Sequence, residues 1–179
     1  KEKEALANVS ISFIKDGDII MLDSSSTSIS IAKQLNLKQL KATIITNSLS
    51  IVNLVSNNPL IKTICLGGTL TNNANAFRGN ITIDNLNKLH CDKAFISPTS
   101  ISLDFGLSHD NEFAAQIAAK MIDNSDEAFL VVDHTKFGKS SLTKIEDFNN
   151  IKYVITNKKP NKEWISFFKT KSIILKCNT

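Results

Sequence analysis

The chain has 179 residues, 42% hydrophobic and 21% charged, which is ordinary for one globular domain with a buried core, so we interpret residues 1–179 as a single domain. No apolar run approaches the roughly 20 residues that cross a bilayer, which argues against a membrane partner. The formal charge of +4 comes almost wholly from scattered lysines, with Arg78 as the only arginine. This scatter indicates a solvated surface and not a DNA-binding face.

Hydrophobic periodicity predicts alternating helices and strands in the first part of the chain. In order, we predict a helix over residues 1–14, a strand over 19–22, a helix over 27–35, a strand over 42–46, a helix capped by Asn47-Ser48 that stops before Pro59, and a strand over 61–66. The polar, Asn-rich residues 69–77 are predicted to form an exposed loop.

The alternation continues after this loop. We predict a helix over 80–89, a strand over 93–97, an irregular segment over 98–109, a helix capped by Asp110, a strand over 127–132, a short helix near Ile145, a strand over 153–156, a helix through Trp164 and Phe168, and a strand over 173–175. Strands that alternate with helices are typical of βαβ units. The sequence therefore predicts an α/β fold with a mostly parallel sheet and helices on both faces.

Polar residues follow most of the predicted strands. Asp23 precedes a run of hydroxyl residues and a helix start, which is how α/β proteins build phosphate sites, although a simple strand stop with a helix cap has the same pattern. In open parallel sheets, ligands bind at the carboxyl ends of the strands. The residues there, including Gly67-Gly68 and Lys136, are small, polar or cationic. They favour a polyhydroxylated anion as the ligand.

Metal, cofactor and disulfide chemistry have no support in the sequence. The three cysteines (Cys65, Cys91 and Cys177) are far apart and odd in number, which predicts reduced thiols in the cytoplasm. His109 and His134 lack metal-ligand spacing, so we expect no metal and no cofactor. The chain opens on Lys-Glu-Lys-Glu without Met, so we expect it to be part of a longer protein.

Several motifs together resemble the sensor domain of DeoR-type transcription regulators. These motifs, in chain order, are Asp23-Ser-Ser-Ser-Thr27, Thr46-Asn47-Ser48-Leu49, Gly67-Gly68, Asp92-Lys93-Ala94-Phe95-Ile96, and Asp133-His134-Thr135-Lys136-Phe137-Gly138. The last motif is the most specific of them, and the resemblance covers essentially the whole chain. It implies a fold similar to ribose-phosphate isomerases and coenzyme A transferases.

The resemblance also implies a function and partners. Sensors of this family bind phosphorylated sugars or sugar alcohols, and a winged helix-turn-helix domain that precedes the sensor contacts DNA. We therefore expect a sugar-phosphate effector, DNA binding only through a domain absent from this chain, and a homo-oligomer, because DNA half-sites favour symmetric regulators.

By the same resemblance, ligand-binding residues lie in three early loops and in later segments. They are Asp23, Ser24, Ser25, Ser26 and Thr27 in the first loop, Thr46, Asn47 and Ser48 in the second, Gly67 and Gly68 in the third, and Asp104, Glu112 and Lys136 beyond them. The first loop departs from the family pattern Asp-Ser-Gly-Thr-Thr, because Ser25 replaces the glycine and Ser26 replaces the first threonine.

Two other functions remain open at this stage. A sugar-phosphate isomerase on the same fold needs a carboxylate base beside the carbon that loses its proton, for which Glu112 or Asp104 is available. An interaction domain without a ligand would instead show an apolar surface patch. The lone Arg78 fits either a bidentate phosphate contact or a surface position.

Overall fold

The computed structural model describes residues 2–177 and is built from six α-helices and twelve strands within that range. The helices are α1 (Glu2–Ile11), α2 (Ser26–Leu37), α3 (Leu49–Val55), α4 (Asn80–Leu86), α5 (Glu112–Asp123) and α6 (Lys162–Thr170). The strands are β1 (Ile19–Leu22), β2 (Ala42–Thr46), β3 (Ile61–Cys65), β4 (Thr69–Thr71), β5 (Ala76–Arg78), β6 (Cys91–Ile96), β7 (Ser100–Ser102), β8 (Gly106–His109), β9 (Ser125–Val131), β10 (Thr143–Glu146), β11 (Ile151–Thr156) and β12 (Ile174–Cys177).

Seven parallel strands form the central sheet, in the order β12-β11-β9-β6-β1-β2-β3. The chain runs outward from β1 through β2 and β3, and then returns to the other side of β1 to add β6, β9, β11 and β12. The direction of strand addition therefore reverses between β1 and β6. In open α/β sheets, such a reversal opens a crevice at the carboxyl ends of the strands, where ligands bind.

Successive residues of the strands alternate between two hydrophobic cores, as the pleat of a sheet requires. In β1, Ile20 and Leu22 belong to a core with α1, α2 and α3, whereas Met21 belongs to a second core with α4, α5 and α6. Phe129 of β9 reinforces the first core, because its ring stacks on Phe95 at 4.7 Å between centroids. The predicted mostly parallel α/β sheet with helices on both faces is confirmed.

Two segments predicted to be irregular are β-hairpins instead. Residues 69–77 contain β4, paired antiparallel with β5, and residues 98–109 contain β7 and β8, which form a three-stranded sheet with β10. The short helix predicted near Ile145 is wrong, because Ile145 lies in β10. Strands of three or four residues are too short to show a clear period of two, so their polar composition indicated loops.

Several helix ends also differ from the prediction. α1 ends at Ile11 and not at residue 14, and α4 ends at Leu86 and not at residue 89. The N-cap of α5 is Asn111, whose side chain accepts a hydrogen bond from the backbone N–H of Ala114, and not Asp110. Over residues 2–177, no helix is both long enough and apolar enough to cross a membrane.

Candidate functional site

A cavity of about 280 Å³ opens at the carboxyl edge of the central sheet, at the crevice between β1 and β6. Polar and charged side chains from four segments line part of it: Asp23, Ser24, Ser25, Asn47, Arg78, His109 and Asp110. The rest of the wall is apolar and consists of Ala74, Pro98, Ala114, Ile117 and Ala118. The volume is near the lower end of the range typical of ligand pockets, about 300–1,000 Å³.

The carboxylate of Asp23, the residue after β1, accepts four hydrogen bonds from its own chain. Its Oδ1 accepts hydrogen bonds from the backbone N–H and hydroxyl of Ser25, at 3.1 and 2.5 Å, and from the hydroxyl of Ser28, at 2.6 Å. Its Oδ2 accepts one from the backbone N–H of Ser97, at 2.7 Å. Asp23 therefore fixes the shape of the first loop and ties β1 to the end of β6.

The first loop leads directly into the N-terminus of α2. Ser25 is the N-cap, and its hydroxyl accepts a hydrogen bond from the backbone N–H of Ser28 at 3.1 Å. The N–H groups of Ser26 and Thr27 begin the helix, so they have no intrahelical acceptor. The Ser26 side chain is exposed, while the buried Thr27 hydroxyl accepts a hydrogen bond from Ser97. This end of α2 attracts anions through its N–H groups and the helix dipole.

The second loop follows β2 and is fully buried. Thr46 donates its hydroxyl proton to the Leu22 carbonyl at 2.8 Å and accepts from the Ser48 backbone N–H, and Ser48 caps α3. Asn47 is only 2% exposed and donates its amide Nδ2 to the Phe77 carbonyl at 2.9 Å, but its buried Oδ1 has no hydrogen-bond partner. Thr46 and Ser48 hold the loop, and Asn47 lines the cavity with its buried Oδ1 unpartnered.

Arg78 reaches the cavity from β5. Its Nε is buried and has no hydrogen-bond partner. Burial lowers the pKa of the guanidinium from its ordinary value, and the nearby charge of Asp110 partly offsets that effect. An unpaired buried donor on a cation costs free energy unless a ligand or water satisfies it. Arg78 therefore places a positive charge at the cavity, and its Nε–H has no partner within the protein.

His109 is the last residue of β8 and Asp110 follows it, both at the cavity that Arg78 also lines. The Nδ1 of His109 lies 2.7 Å from Asp110 Oδ1 and 3.1 Å from the Asn111 backbone nitrogen. A protonated Nδ1 can donate to the carboxylate, whereas a deprotonated Nδ1 accepts from the N–H, so the two contacts alternate. Burial lowers the pKa of His109, with Asp110 opposing that shift. The lowered pKa favours the neutral ring near neutral pH.

Gly67 and Gly68 lie at the end of β3, and neither lines the cavity. Gly68 has φ +118°, and a Cβ there would stand 2.2 Å from the Thr82 hydroxyl oxygen and 3.0 Å from the Arg78 carbonyl oxygen. Thr82 in turn donates to the Gly67 carbonyl at 2.6 Å. The double glycine therefore lets the chain pass closely over α4 and Arg78.

Asp104 and Glu112 also lie away from the cavity wall. Asp104 is exposed in the turn between β7 and β8, and Glu112 is exposed at the first position of α5. Glu112 stands where a carboxylate interacts favourably with the helix dipole. The structure does not bring these two carboxylates together with Asp23 and Asn47.

Lys136 belongs to the turn after β9, which is separated from β1 by β6. Asp133 caps this turn by accepting hydrogen bonds from the backbone N–H and the hydroxyl of Thr135. Lys136 is half-buried and does not line the cavity. It shares the carboxyl edge of the sheet with Asp23 but lies two strands away.

Sequence reasoning underestimated Arg78 and His109 as site residues. The sequence leaves Arg78 open between a phosphate contact and a surface position. In the structure, the segment predicted to be a loop pairs as β4 and β5, and β5 lies against Asn47. The signal in the sequence was that the only arginine of the chain directly precedes a glycine. In the structure, this glycine, Gly79, is the N-cap of α4 and has φ +98°. Within residues 2–177, no cluster of three or more His, Cys, Asp or Glu side chains is arranged to hold a metal ion.

Comparison with known proteins finds relatives that match most of the chain. A family model described as the DeoR C terminal sensor domain matches residues 1–158. The transcriptional repressor GlcR of Bacillus subtilis is 32% identical over 161 residues, which cover 90% of this chain and 61% of that protein. The regulator IolR of the same species is 31% identical over 166 residues, which cover 93% and 66%. The chain thus spans less than two thirds of the length of these relatives.

Among solved structures, ribose 5-phosphate isomerase A from Methanocaldococcus jannaschii has a similar fold. It superimposes with a TM-score of 0.54 at 17% identity, over 75% of this chain and 53% of the isomerase. At this identity, the likeness concerns the fold alone. It confirms the expected relation to the ribose-phosphate isomerase fold.

Proposed function

The chain belongs to the family of DeoR C-terminal sensor domains, and from this premise we propose that its cavity binds a phosphorylated sugar or sugar alcohol and thereby alters DNA binding by an attached helix-turn-helix domain. The observation that carries the proposal is Asn47, a buried side chain that lines the cavity and whose Oδ1 has no partner, near the start of α2 and the half-buried guanidinium of Arg78. Such a set suits a ligand with hydroxyl donors and an anionic group.

The phosphate is assigned to the first loop. The N–H groups at the start of α2 have no partner in the helix, and the neighbouring hydroxyls of Ser24 and Ser25 line the cavity. Because Asp23 is held by four donors of the chain, it acts by keeping these groups in place and not by contacting the sugar. Lys136 lies on the same edge of the sheet, and we propose that it adds positive charge near a bound phosphate.

The packing of the helices offers a route from the cavity to the DNA-binding domain. α2 begins at the ligand loop, and α1 packs along α2 in the first core. In the family, the DNA-binding domain precedes the sensor, so α1 is the element nearest to it. A ligand that binds one arrangement of α1 and α2 more tightly than another shifts the balance between them, typically by about 1–3 kcal/mol.

We propose binding without turnover. The carboxylates considered as bases, Asp104 and Glu112, are exposed and outside the cavity wall, so neither is placed beside a bound carbon. The regulator relatives support the same view, because they are transcription factors. Detection of proton exchange at a ligand carbon by NMR would contradict this part of the proposal.

We also propose that the protein acts as a symmetric homo-oligomer in the cytoplasm, because paired DNA half-sites require two-fold related subunits. Light scattering during size-exclusion chromatography tests this proposal directly. A mass corresponding to two or more chains supports it, whereas a monomer at all concentrations would contradict it.

The ligand proposal is tested by thermal unfolding with a panel of sugar phosphates and sugar-alcohol phosphates. A ligand at 100 times its Kd adds about 2.7 kcal/mol, which raises the Tm of a domain of this size by roughly 5–11 °C. Asn47→Ala removes the free acceptor and is expected to reduce the shift. Asn53→Ala, at an exposed position of α3, is the matched control. The absence of any shift with every phosphorylated compound would contradict the proposal.

A further inference from the structure

We propose that the effector carries a second acidic group in addition to its phosphate, and that Arg78 binds this group while Asn47 accepts from a neighbouring hydroxyl. The inference rests on the function proposed above and narrows its ligand class. The expected ligand is a sugar phosphate that also bears a carboxylate or a second phosphate.

The first step is the state of Arg78. Its Nε–H is buried and unpartnered, and no ion pair within 4.0 Å joins it to a carboxylate in the part of the chain that the structure describes. A guanidinium favours planar, two-point contact with carboxylate or phosphate oxygens. Arg78 lines the cavity, so an anion bound there can meet this geometry.

The second step is that the carboxylates of the cavity are already engaged elsewhere. Asp23 accepts four hydrogen bonds from its own chain. Asp110 places its Oδ1 2.7 Å from His109 Nδ1, and its side chain is 72% exposed. Neither carboxylate satisfies the buried Nε–H of Arg78, so the cavity keeps one cation with an open donor.

The third step is the position of Asn47 next to Arg78. The side-chain amide of Asn47 donates to the Phe77 carbonyl, and the backbone N–H of Phe77 donates to the Asn47 carbonyl at 2.8 Å. Phe77 directly precedes Arg78, so Asn47 is hydrogen-bonded to the residue next to Arg78, and both Asn47 and Arg78 line the cavity. Asn47 Oδ1 and Arg78 Nε both have no hydrogen-bond partner. A ligand that satisfies both carries a hydroxyl donor near an anionic acceptor, as in a 2-hydroxy acid or a phosphate ester beside a free hydroxyl.

The fourth step is that a separate place exists for the first anion. The start of α2 has free N–H groups, and it belongs to the β1–α2 loop and not to β5. Two anion-binding features from different elements therefore meet at one cavity of about 280 Å³. A ligand with a single phosphate uses only one of them.

The test is isothermal titration of the chain at fixed ionic strength with three matched probes: glucitol 6-phosphate, 6-phosphogluconate and fructose 1,6-bisphosphate. The first has one acidic group, the second adds a carboxylate, and the third adds a phosphate. At least one of the doubly acidic probes is expected to bind roughly 10- to 100-fold more tightly than glucitol 6-phosphate, the range for a hydrogen bond to a charged group. The tighter of the two identifies the second group.

Variants of Arg78 test whether its guanidinium causes the preference for a doubly acidic probe. Arg78→Gln is expected to abolish the preference, so that the three probes bind with similar Kd values. Arg78→Lys is expected to retain part of the preference, because lysine keeps the charge but not the planar, two-point geometry of the guanidinium. Lys62→Gln, an exposed position of β3 outside the cavity, makes the same change of charge and is expected to change nothing. If Arg78→Gln does not fold, the comparison of the three probes with the unaltered chain decides alone.

Two negative results are distinguishable. Equal binding of all three probes, or an unchanged preference in folded Arg78→Gln, would overturn the proposal that Arg78 binds a second acidic group. The sugar-phosphate proposal would still stand. If none of the three probes binds and the wider panel of sugar phosphates gives no thermal shift, both proposals are overturned together.

Discussion

Replacing Asp23 with alanine is expected to destabilise the domain and not only to weaken ligand binding. The carboxylate is half-buried and accepts hydrogen bonds from the hydroxyls of Ser25 and Ser28 and from the backbone N–H groups of Ser25 and Ser97. A hydrogen bond to a charged group contributes about 1.5–3 kcal/mol, and the four are not additive because they share one carboxylate. We expect a loss of about 2–4 kcal/mol in the free energy of unfolding.

Urea unfolding followed by circular dichroism measures this loss, and a thermal scan is expected to show a Tm lower by about 4–16 °C. Asp104→Ala is the matched control, because Asp104 is exposed in a turn, and its effect is expected within about 0.5 kcal/mol. If Asp23→Ala unfolds at the same urea concentration as the unaltered chain, the hydrogen-bond network does not organise the first loop, and our account of that loop is refuted.

Three further predictions concern the scaffold around the cavity. Gly68→Ala places a Cβ 2.2 Å from the Thr82 hydroxyl oxygen at φ +118°, so a loss of at least about 2 kcal/mol is expected in urea unfolding, and an unchanged midpoint would contradict the close approach. Lys93→Met breaks the ion pair between Lys93 Nζ and Asp18 Oδ2, which lie 2.6 Å apart with both side chains largely buried. We expect it to lower the free energy of unfolding by about 3–5 kcal/mol. A loss below about 1 kcal/mol in urea unfolding would show that the pair does not hold the amino edge of the sheet. Burial raises the pKa of Glu146 to about 7 from its ordinary 4.5, so the folded chain retains a proton that the unfolded chain releases between these pH values, and stability falls as the pH rises through this window. Glu146→Gln is expected to flatten that fall when Tm is measured from pH 4 to pH 8, and a fall of the same size in the variant would assign it to other groups.

The central sheet was predictable from the sequence because its strands are apolar and separated by amphipathic helices. The strand over residues 42–46 was predicted with the bounds it has, and β1 likewise, since a four-residue apolar run ended by Asp23 has few alternatives. The carboxyl edge of the sheet then followed from the parallel topology. The resemblance of the motifs identified the family, which the comparisons confirmed.

The wall of the cavity was not predictable in the same way. Arg78 and His109 lie at the ends of β5 and β8, and both strands belong to short hairpins without an apolar period. The turn of the first hairpin contains Asn75 at φ +51°, in the left-handed region. The polar composition of this segment does not indicate that conformation. Pairing with a distant strand, as between β8 and β10, depends on tertiary packing and leaves little local signal.

The most direct test of the cavity is a titration of the ¹⁵N-labelled chain with 6-phosphogluconate or another bound sugar phosphate, followed by two-dimensional NMR. We expect chemical-shift changes at residues 23–27, at the side-chain amide of Asn47 and at the Nε–H of Arg78, with α6 and β12 unaffected. Changes confined to another face of the molecule, or none at saturating ligand, would contradict the assignment of the effector site to this edge of the sheet.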